Sequence, residues 1–206
     1  MNPMLGRRER KKLEVEQRIR SAALELFREK GYDATSVEEI AERADVAKGT
    51  FFNYFPRKDA LLSAQAEDVA AELMEELGPL DEWTGTAADQ LLRLFLKVGD
   101  LVARDPELSK TMLIENMRRF WLCTEAEPLE REFNELVKLL VRRGVERGEF
   151  EAGTDVEQAA KLVEAAYFTT LVEWMRRGAP GTEYRRDIEV KFAIIFRGLG
   201  LPGAAT

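Results

Sequence analysis

Apolar residues recur along most of the chain at intervals of three and four positions, which is the spacing of one face of an α-helix. No segment sustains the alternation of apolar and polar residues that would predict a strand. Gly31, Pro56 and the pair Gly78-Pro79 interrupt the pattern and predict helix ends. The pattern predicts nine helices, at about 13–30, 37–44, 47–55, 57–77, 86–103, 106–123, 128–147, 156–177 and 182–197. The predicted fold class is therefore all-α.

The lengths of these helices predict two domains of different size. Residues 1–60 hold three helices, two of them short, and residues 61–206 hold the longer ones. A three-helix N-terminal domain followed by a C-terminal helical bundle lets each helix bury its apolar face. We place the boundary along the fourth helix, without a flexible linker, because no low-complexity segment separates the two parts.

Residues 35–58, TSVEEIAERADVAKGTFFNYFPRK, have the pattern of a helix-turn-helix motif. Two short helices flank a tight turn at 44–47, in which Asp45 tolerates a positive φ and Val46 supplies an inward apolar side chain. Phe51 and Phe55, one helical turn apart, are expected to be buried. Two alternative capping boxes would begin the first of these helices: Thr35 with Glu38, or Ser36 with Glu39.

Five side chains then lie on or beside the exposed face of the second short helix: Lys48, Thr50, Phe52, Asn53 and Tyr54. Such a face is costly unless a partner covers it, and the major groove of DNA would suit it. Thr50 and Asn53 can hydrogen-bond to base edges, and Phe52 can contact a thymine methyl group or a sugar. Lys48 and Tyr54 can reach phosphates. In the alternative interpretation, Phe52 and Tyr54 pack against the first and fourth helices.

The segment RIRSAALELFREKGYDATSVEEIAERADVAKGTFFNYFPRKDALL resembles the N-terminal domain of the TetR family of transcriptional regulators. The shared elements are A-x-x-L-F-x-x-x-G-Y-D-A-T-S, then I-A, then K-G-T-F-F-N-Y-F-P-x-K, and the resemblance covers about residues 13–62. It implies a homodimer whose two N-terminal domains bind an inverted-repeat operator in double-stranded DNA. It also implies a C-terminal domain that binds a small-molecule effector and then releases the DNA.

The resemblance further implies roles for individual residues. Thr35 would contact phosphate at the start of the second helix and Lys58 at the start of the fourth, while the five residues named above would lie in or beside the groove. Three positions depart from the family pattern: Asp45 replaces a common glycine, Ala47 a frequent serine and Phe52 a common tyrosine. These departures leave the operator sequence open.

The composition excludes several classes of function. With 45% hydrophobic and 33% charged residues, the chain is typical of a globular protein. It has no histidine, and its single cysteine, Cys123, allows neither an internal disulfide nor a cysteine metal cluster. We therefore expect no enzyme, no cofactor and no metal site. The chain lacks an apolar run of about 20 residues and an apolar signal segment, so we expect a cytoplasmic protein without a membrane partner.

Charge is unevenly distributed along the chain. Residues 1–60 carry 13 basic and 11 acidic side chains, whereas the remainder carries 18 and 27. A basic end on an acidic body favours DNA binding at that end. The basic residues ahead of the first predicted helix form a tail that could follow phosphates or enter the minor groove, or be disordered and solvated: Arg7, Arg8, Arg10, Lys11 and Lys12.

The last two helices carry more apolar surface than one chain readily buries, which predicts a four-helix dimer interface. Its predicted residues are Tyr167, Leu171, Trp174, Ile188, Phe192 and Ile195. Methionine and aromatic residues crowd the sixth helix and predict a pocket for an apolar ligand. The predicted ligand-binding residues are Met112, Asn116, Met117, Phe120, Trp121 and Phe168.

The sequence therefore predicts a transcriptional repressor that a small apolar or amphipathic effector releases from a palindromic operator. The alternative is a regulator with the same DNA-binding domain whose C-terminal domain responds to a protein partner or to no ligand. An enzyme is disfavoured because no nucleophile and base are paired in the sequence.

Overall fold

The structure, a computed structural model, describes residues 6–122, 128–178 and 183–199. Over these residues it contains nine α-helices and no strand, which confirms the all-α prediction. The helices are α1 (Arg7–Lys30), α2 (Val37–Arg43), α3 (Lys48–Tyr54), α4 (Ala60–Leu77), α5 (Ala87–Arg104), α6 (Pro106–Leu122), α7 (Pro128–Glu146), α8 (Val156–Arg176) and α9 (Glu183–Leu199).

Two features of the helix pattern differ from the prediction. Helix α1 begins at Arg7, so the basic segment predicted as a tail forms the first turns of that helix instead. A short 3-10 helix at Leu80–Glu82 follows α4 and was not predicted, because three residues are too few to show a helical period. None of the helices that the structure describes is long and apolar enough to cross a membrane.

The chain divides into two compact units. The first unit comprises the chain up to Asp68 together with Glu107–Arg119, and the second comprises Val69–Pro106 and the chain from Phe120 onward. The chain therefore passes from one unit to the other within α4 and within α6.

The core of the first unit brings together α1, α2, α3 and α4. Its fully buried residues include Ile19, Ala23, Ile40 and Phe51. Leu108 of α6 joins the same core and is only 5% exposed. The sequence pattern missed this contribution because periodicity identifies the apolar face of a helix but not the element that it packs against.

The core of the second unit is built around Phe95 of α5. The Phe95 ring lies 5.5 Å from the ring of Phe133, 4.9 Å from that of Tyr167 and 5.2 Å from that of Phe192, so α5, α7, α8 and α9 all contribute to one aromatic cluster. Aromatic pairs at these separations stabilise a core beyond the area that they bury.

Candidate DNA-binding surface

Helix α2 begins with a capping box formed by Ser36 and Glu39, which is one of the two predicted alternatives. The backbone N–H of Glu39 donates to Ser36 Oγ at 3.2 Å, and the backbone N–H of Ser36 donates to Glu39 Oε2 at 2.9 Å. Lys30 and Ser36 both hydrogen-bond to the Glu39 carboxylate and hold its pKa at about 2. This arrangement confirms the Ser36–Glu39 box and fixes where α2 begins.

The turn between α2 and α3 has the predicted conformation. Asp45 has a φ of 52°, and no other non-glycine residue that the structure describes has a positive φ. The backbone N–H of Val46 donates to Ala41 O at 2.9 Å, and the Val46 side chain packs against the core of the first unit. The aspartate that replaces the common glycine is therefore accommodated, and the turn sets the angle between α2 and α3.

Helix α3 separates a buried side from an exposed side. Phe51 is fully buried and its ring lies 6.0 Å from that of Phe55, which is 5% exposed. The neighbouring Phe52 is 45% exposed, so it does not pack inside the first unit. Tyr54 is only partly exposed and packs against the core, which supports the alternative interpretation for this residue.

Lys48, Thr50, Phe52 and Asn53 thus form a compact outward patch, hereafter the α3 patch. Lys48 and Asn53 are exposed and Thr50 is partly exposed. Lys48 forms an ion pair with Glu38 of α2, and this hydrogen bond lowers the pKa of the Glu38 carboxyl. A phosphate approaching Lys48 therefore has to compete with a carboxylate that is already present.

The structure gives the Thr35 and Lys58 side chains internal hydrogen bonds, and the phosphate contacts expected of these two residues stay a prediction. Thr35 is 2% exposed, and its hydroxyl donates to Gly31 O at 2.8 Å. Lys58 Nζ donates to Tyr32 O at 2.7 Å and to Thr35 O at 2.8 Å, and it lies 4.0 Å from the centroid of the Tyr32 ring. Burial lowers the pKa of Lys58. Both side chains fasten the connection between α1 and α2 rather than face outward.

Further positive charge lies at the start of α1. The five basic side chains at Arg7, Arg8, Arg10, Lys11 and Lys12 are all exposed. Placed on a helix, they have a fixed spacing along the backbone, which the predicted disordered tail would not have given them.

Comparison with known proteins places this helix-turn-helix in a family. Residues 19–64 match the family described as bacterial regulatory proteins, tetR family. Over 200 residues, 92% of this chain and 89% of the relative, the chain is 30% identical to the transcriptional repressor KstR of Mycolicibacterium smegmatis. The chain belongs to the TetR family. It is a DNA-binding transcriptional regulator with a helix-turn-helix domain and a helical ligand-binding body.

Two further relatives of this TetR-family regulator have names that describe a metabolic role or a ligand. The chain is 26% identical to the fatty acid metabolism regulator protein of Bacillus subtilis over 164 residues, 76% of this chain and 81% of the relative. The crystal structure of Thermus thermophilus FadR, a TetR-family repressor in complex with lauroyl-CoA, matches with 25% identity and a TM-score of 0.67. That match covers 93% of this chain and 98% of the other.

The predicted dimer face of this TetR-family chain stays a prediction, and most of its residues are buried within the chain itself. Four of the six predicted residues lie in the chain's own core, with exposures of 5% or less: Leu171, Trp174, Ile188 and Phe192. Tyr167 and Ile195 are partly buried. Large apolar side chains are instead exposed on other faces of the same helices, with Leu162 at 57%, Val190 at 53% and Ile194 at 65%. The run FAIIF at 192–196 is apolar on every side, so its sequence gives no sign of which face meets its own chain.

The predicted ligand-binding residues belong to both units, and their role stays a prediction. Met112 packs against the core of the first unit, and Asn116 and Met117 of the same unit are exposed. Phe168 is partly buried on α8 of the second unit. The side chains of Phe120 and Trp121 lie outside the described residues.

One contact of α6 within the first unit was missed by the sequence analysis. Arg118 donates to Asp33 Oδ1 at 3.2 Å and Oδ2 at 3.3 Å, and it also pairs with Glu115 at 2.7 Å. The hydrogen bonds from Arg118 lower the pKa of Asp33. Because Asp33 lies in the connection between α1 and α2, α6 is tied to the same connection that Lys58 fastens.

Proposed function

We propose that this TetR-family chain is a homodimeric repressor that leaves its operator when an acyl-CoA thioester binds. The observation that carries the DNA-binding part is the α3 patch, in which Phe52 is 45% exposed beside a fully buried Phe51. Polar groups beside an exposed ring and a cation can contact base edges, a thymine methyl group and the phosphate backbone in the major groove.

Each residue of the α3 patch has a proposed role on DNA. Thr50 and Asn53 hydrogen-bond to base edges, and Phe52 contacts a thymine methyl group or a sugar. Lys48 exchanges its ion pair with Glu38 for a phosphate, and Tyr54 reaches a phosphate from the margin of the patch. The basic first turns of α1 follow the phosphate backbone nearby.

The homodimer is proposed to form through the exposed faces of α8 and α9. Leu162, Val190 and Ile194 are the large apolar residues exposed there, and the small exposed residues Ala165 and Ala193 permit close approach of helices. A two-fold pair would place two recognition helices on half-sites about 34–36 Å apart. Ile194→Glu should give a monomer in sedimentation equilibrium, whereas Arg142→Glu, at an exposed site on α7, should leave the dimer intact.

The proposed effector class rests on the relatives together with the chemistry of the second unit. FadR of Thermus thermophilus is seen with lauroyl-CoA, and the Bacillus subtilis relative is named for fatty acid metabolism. We propose that the acyl chain inserts among the aromatic side chains around Phe95, which pack against one another and have to separate to admit it. The proposed contacts of the acyl chain include Phe168, Phe120 and Trp121.

A gel-shift experiment with the DNA that flanks the gene tests both parts. A band that resists scrambled duplex and weakens steeply with salt is the expected result for a sequence-specific regulator. Octanoyl-, lauroyl- and stearoyl-CoA are then added, with free CoA and laurate as controls. Release by free CoA as efficient as release by the thioesters would contradict the effector class, and absence of any preference over scrambled duplex would contradict specific binding to this DNA.

A further inference from the structure

An open groove of about 250 Å³ runs along one stripe of α5 in the second unit. Leu92 and Leu96, four positions apart, supply its apolar surface, and Arg93 and Lys97 lie beside them with the same spacing. Arg185 of α9 lines the facing side. Asp89 and Asp100 line it as well, and the Asp89 carboxylate accepts hydrogen bonds from the backbone N–H and the hydroxyl of Thr86. The groove therefore combines an apolar floor with three cationic and two acidic side chains.

Two of these three cations are already paired. Arg185 Nη2 donates to both carboxylate oxygens of Asp100, at 3.0 and 2.7 Å, and Lys97 Nζ lies 2.8 Å from Glu76 Oε2. Arg93 differs from them. Its Nε and Nη2 are buried and have no hydrogen-bond acceptor within the part of the chain that the structure describes. The buried Oε1 of Gln90, one turn earlier on α5, also has no donor, so Gln90 and Arg93 do not satisfy each other.

The two free nitrogens of Arg93 have a specific geometry. Nε and Nη2 lie on one edge of the planar guanidinium, and their N–H groups match the two oxygens of a carboxylate or phosphate. The Arg93 guanidinium lies 4.8 Å from the centroid of the Trp83 ring. This edge is buried, and because Nε is bonded to Cδ, the Arg93 side chain must change its torsion angles to bring the edge into the groove.

Trp83, which lies beside the Arg93 guanidinium, is held in place by its surroundings. It is 5% exposed, its Nε1 donates to Gly78 O at 3.1 Å, and its carbonyl oxygen accepts from Gln90 Nε2 at 3.0 Å. Because the ring is buried and its Nε1 is hydrogen-bonded, occupation of the groove at Arg93 should change the surroundings of the Trp83 indole without displacing it.

We propose that this groove binds the anionic head group, a carboxylate or a phosphate, of a small amphipathic molecule. Arg93 binds the head group through its Nε–Nη2 edge, and Leu92 and Leu96 contact the apolar part. The inference goes beyond the proposed repressor function and does not depend on which effector releases the DNA.

Octanoate and octyl phosphate test the proposal, with octanol as the neutral probe of the same chain length. Each is titrated into the full-length protein, and the indole N–H resonance of Trp83, assigned with Trp83→Phe, reports binding. Both anions should shift this resonance saturably, and octanol should not. Arg93→Gln should weaken binding at least about tenfold, because hydrogen bonds to a charged group are lost. Arg142→Gln, which removes the same charge from an exposed site on α7, should change nothing.

Arg93→Lys separates charge from geometry, because lysine keeps the cation and loses the paired donors. It should bind with an affinity between those of the wild type and Arg93→Gln, and an affinity equal to the wild type would overturn the bidentate assignment. Equal shifts with octanol, or unchanged affinity in an Arg93→Gln protein with native circular dichroism, would overturn the site. Inorganic phosphate that binds as tightly as octyl phosphate would overturn the role of the leucines. The gel shift with lauroyl-CoA tests the proposed effector, and the titrations test the groove at Arg93. One of these two proposals can therefore fail while the other holds.

Discussion

Gly99→Ala tests how the second unit is held together, and its effect can be worked out from the structure. A Cβ at Gly99 would lie 2.8 Å from Cδ1 and 2.5 Å from Cζ of Tyr184, which is closer than real Cβ atoms approach other atoms. Tyr184 would have to move, and its hydroxyl would lose the 2.9 Å hydrogen bond that it donates to Phe95 O. The ring contact with Trp174, at 5.8 Å between centroids, would be disturbed as well.

Three terms set the size of the effect. Overpacking a core costs about 1–3 kcal/mol, and loss of a buried hydrogen bond costs about 1–3 kcal/mol. Alanine is favoured over glycine inside a helix by about 1 kcal/mol. The free energy of unfolding should therefore fall by about 3 kcal/mol, which for a chain of this size lowers the Tm by about 6–12 °C.

Thermal and urea unfolding at fixed protein concentration measure this change, since a dimer makes the Tm depend on concentration. Gly198→Ala is the matched control, because a Cβ at that helical glycine would meet nothing within 4 Å. The double variant Gly99→Ala/Tyr184→Leu should lose less stability than the sum of its single changes. A Gly99→Ala protein as stable as the wild type, or strict additivity in the double variant, would refute the packing of Tyr184 on Gly99.

Three other predictions concern the first unit. Thr50→Ala and Asn53→Ala should each reduce discrimination between operator and scrambled DNA by about 1–3 kcal/mol, as measured by competition gel shifts, and equal losses on both DNAs would contradict base readout. Lys58→Ala removes the Lys58 hydrogen bonds to Thr35 O and Tyr32 O, of which Tyr32 O keeps the backbone N–H of Thr35 as a donor, and should lower stability by about 1–3 kcal/mol, as measured by urea unfolding. Unchanged stability would show that Lys58 is not a fastening residue. The pKa of Glu39 is lowered to about 2, so its stabilising effect is present above its unfolded pKa of about 4.3 and is lost as the pH falls toward 2. The wild type should therefore lose more stability than Glu39→Gln as the pH falls from about 4.3 toward 2, as measured by urea unfolding at several pH values. The same pH dependence of stability in both proteins would contradict this role of Glu39.

The sequence predicted the first unit closely because its signals are local. The Ser36–Glu39 box, the positive φ of Asp45 and the burial of Phe51 each depend on residues within a few positions of one another. A capping box or a tight turn requires particular side chains at fixed offsets, so it can be identified without knowledge of the rest of the fold.

The partners of long side chains could not be predicted in the same way. Lys58 reaches backbone carbonyls 23 and 26 positions earlier, and Arg118 pairs with Asp33, which is 85 positions away. The sequence shows a cation at each position, which is equally consistent with a phosphate contact and with an internal hydrogen bond. The buried and exposed faces of α8 and α9 could not be assigned from the sequence for a related reason. Ile188 and Ile194 are chemically alike, and only packing distinguishes the buried one from the exposed one.

We propose that helix α6 takes part in the response of the repressor to its effector. Leu108 lies in the core of the first unit and Arg118 pairs with Asp33 in the connection between α1 and α2, while the same helix continues into the second unit from Phe120. Its Leu108 and Arg118 contacts hold α6 to the helix-turn-helix within the first unit. An effector lowers DNA affinity only by its difference in affinity between the two positions of the helix-turn-helix. Arg118→Ala should therefore change the effector concentration needed for release more than it changes operator affinity in the absence of effector.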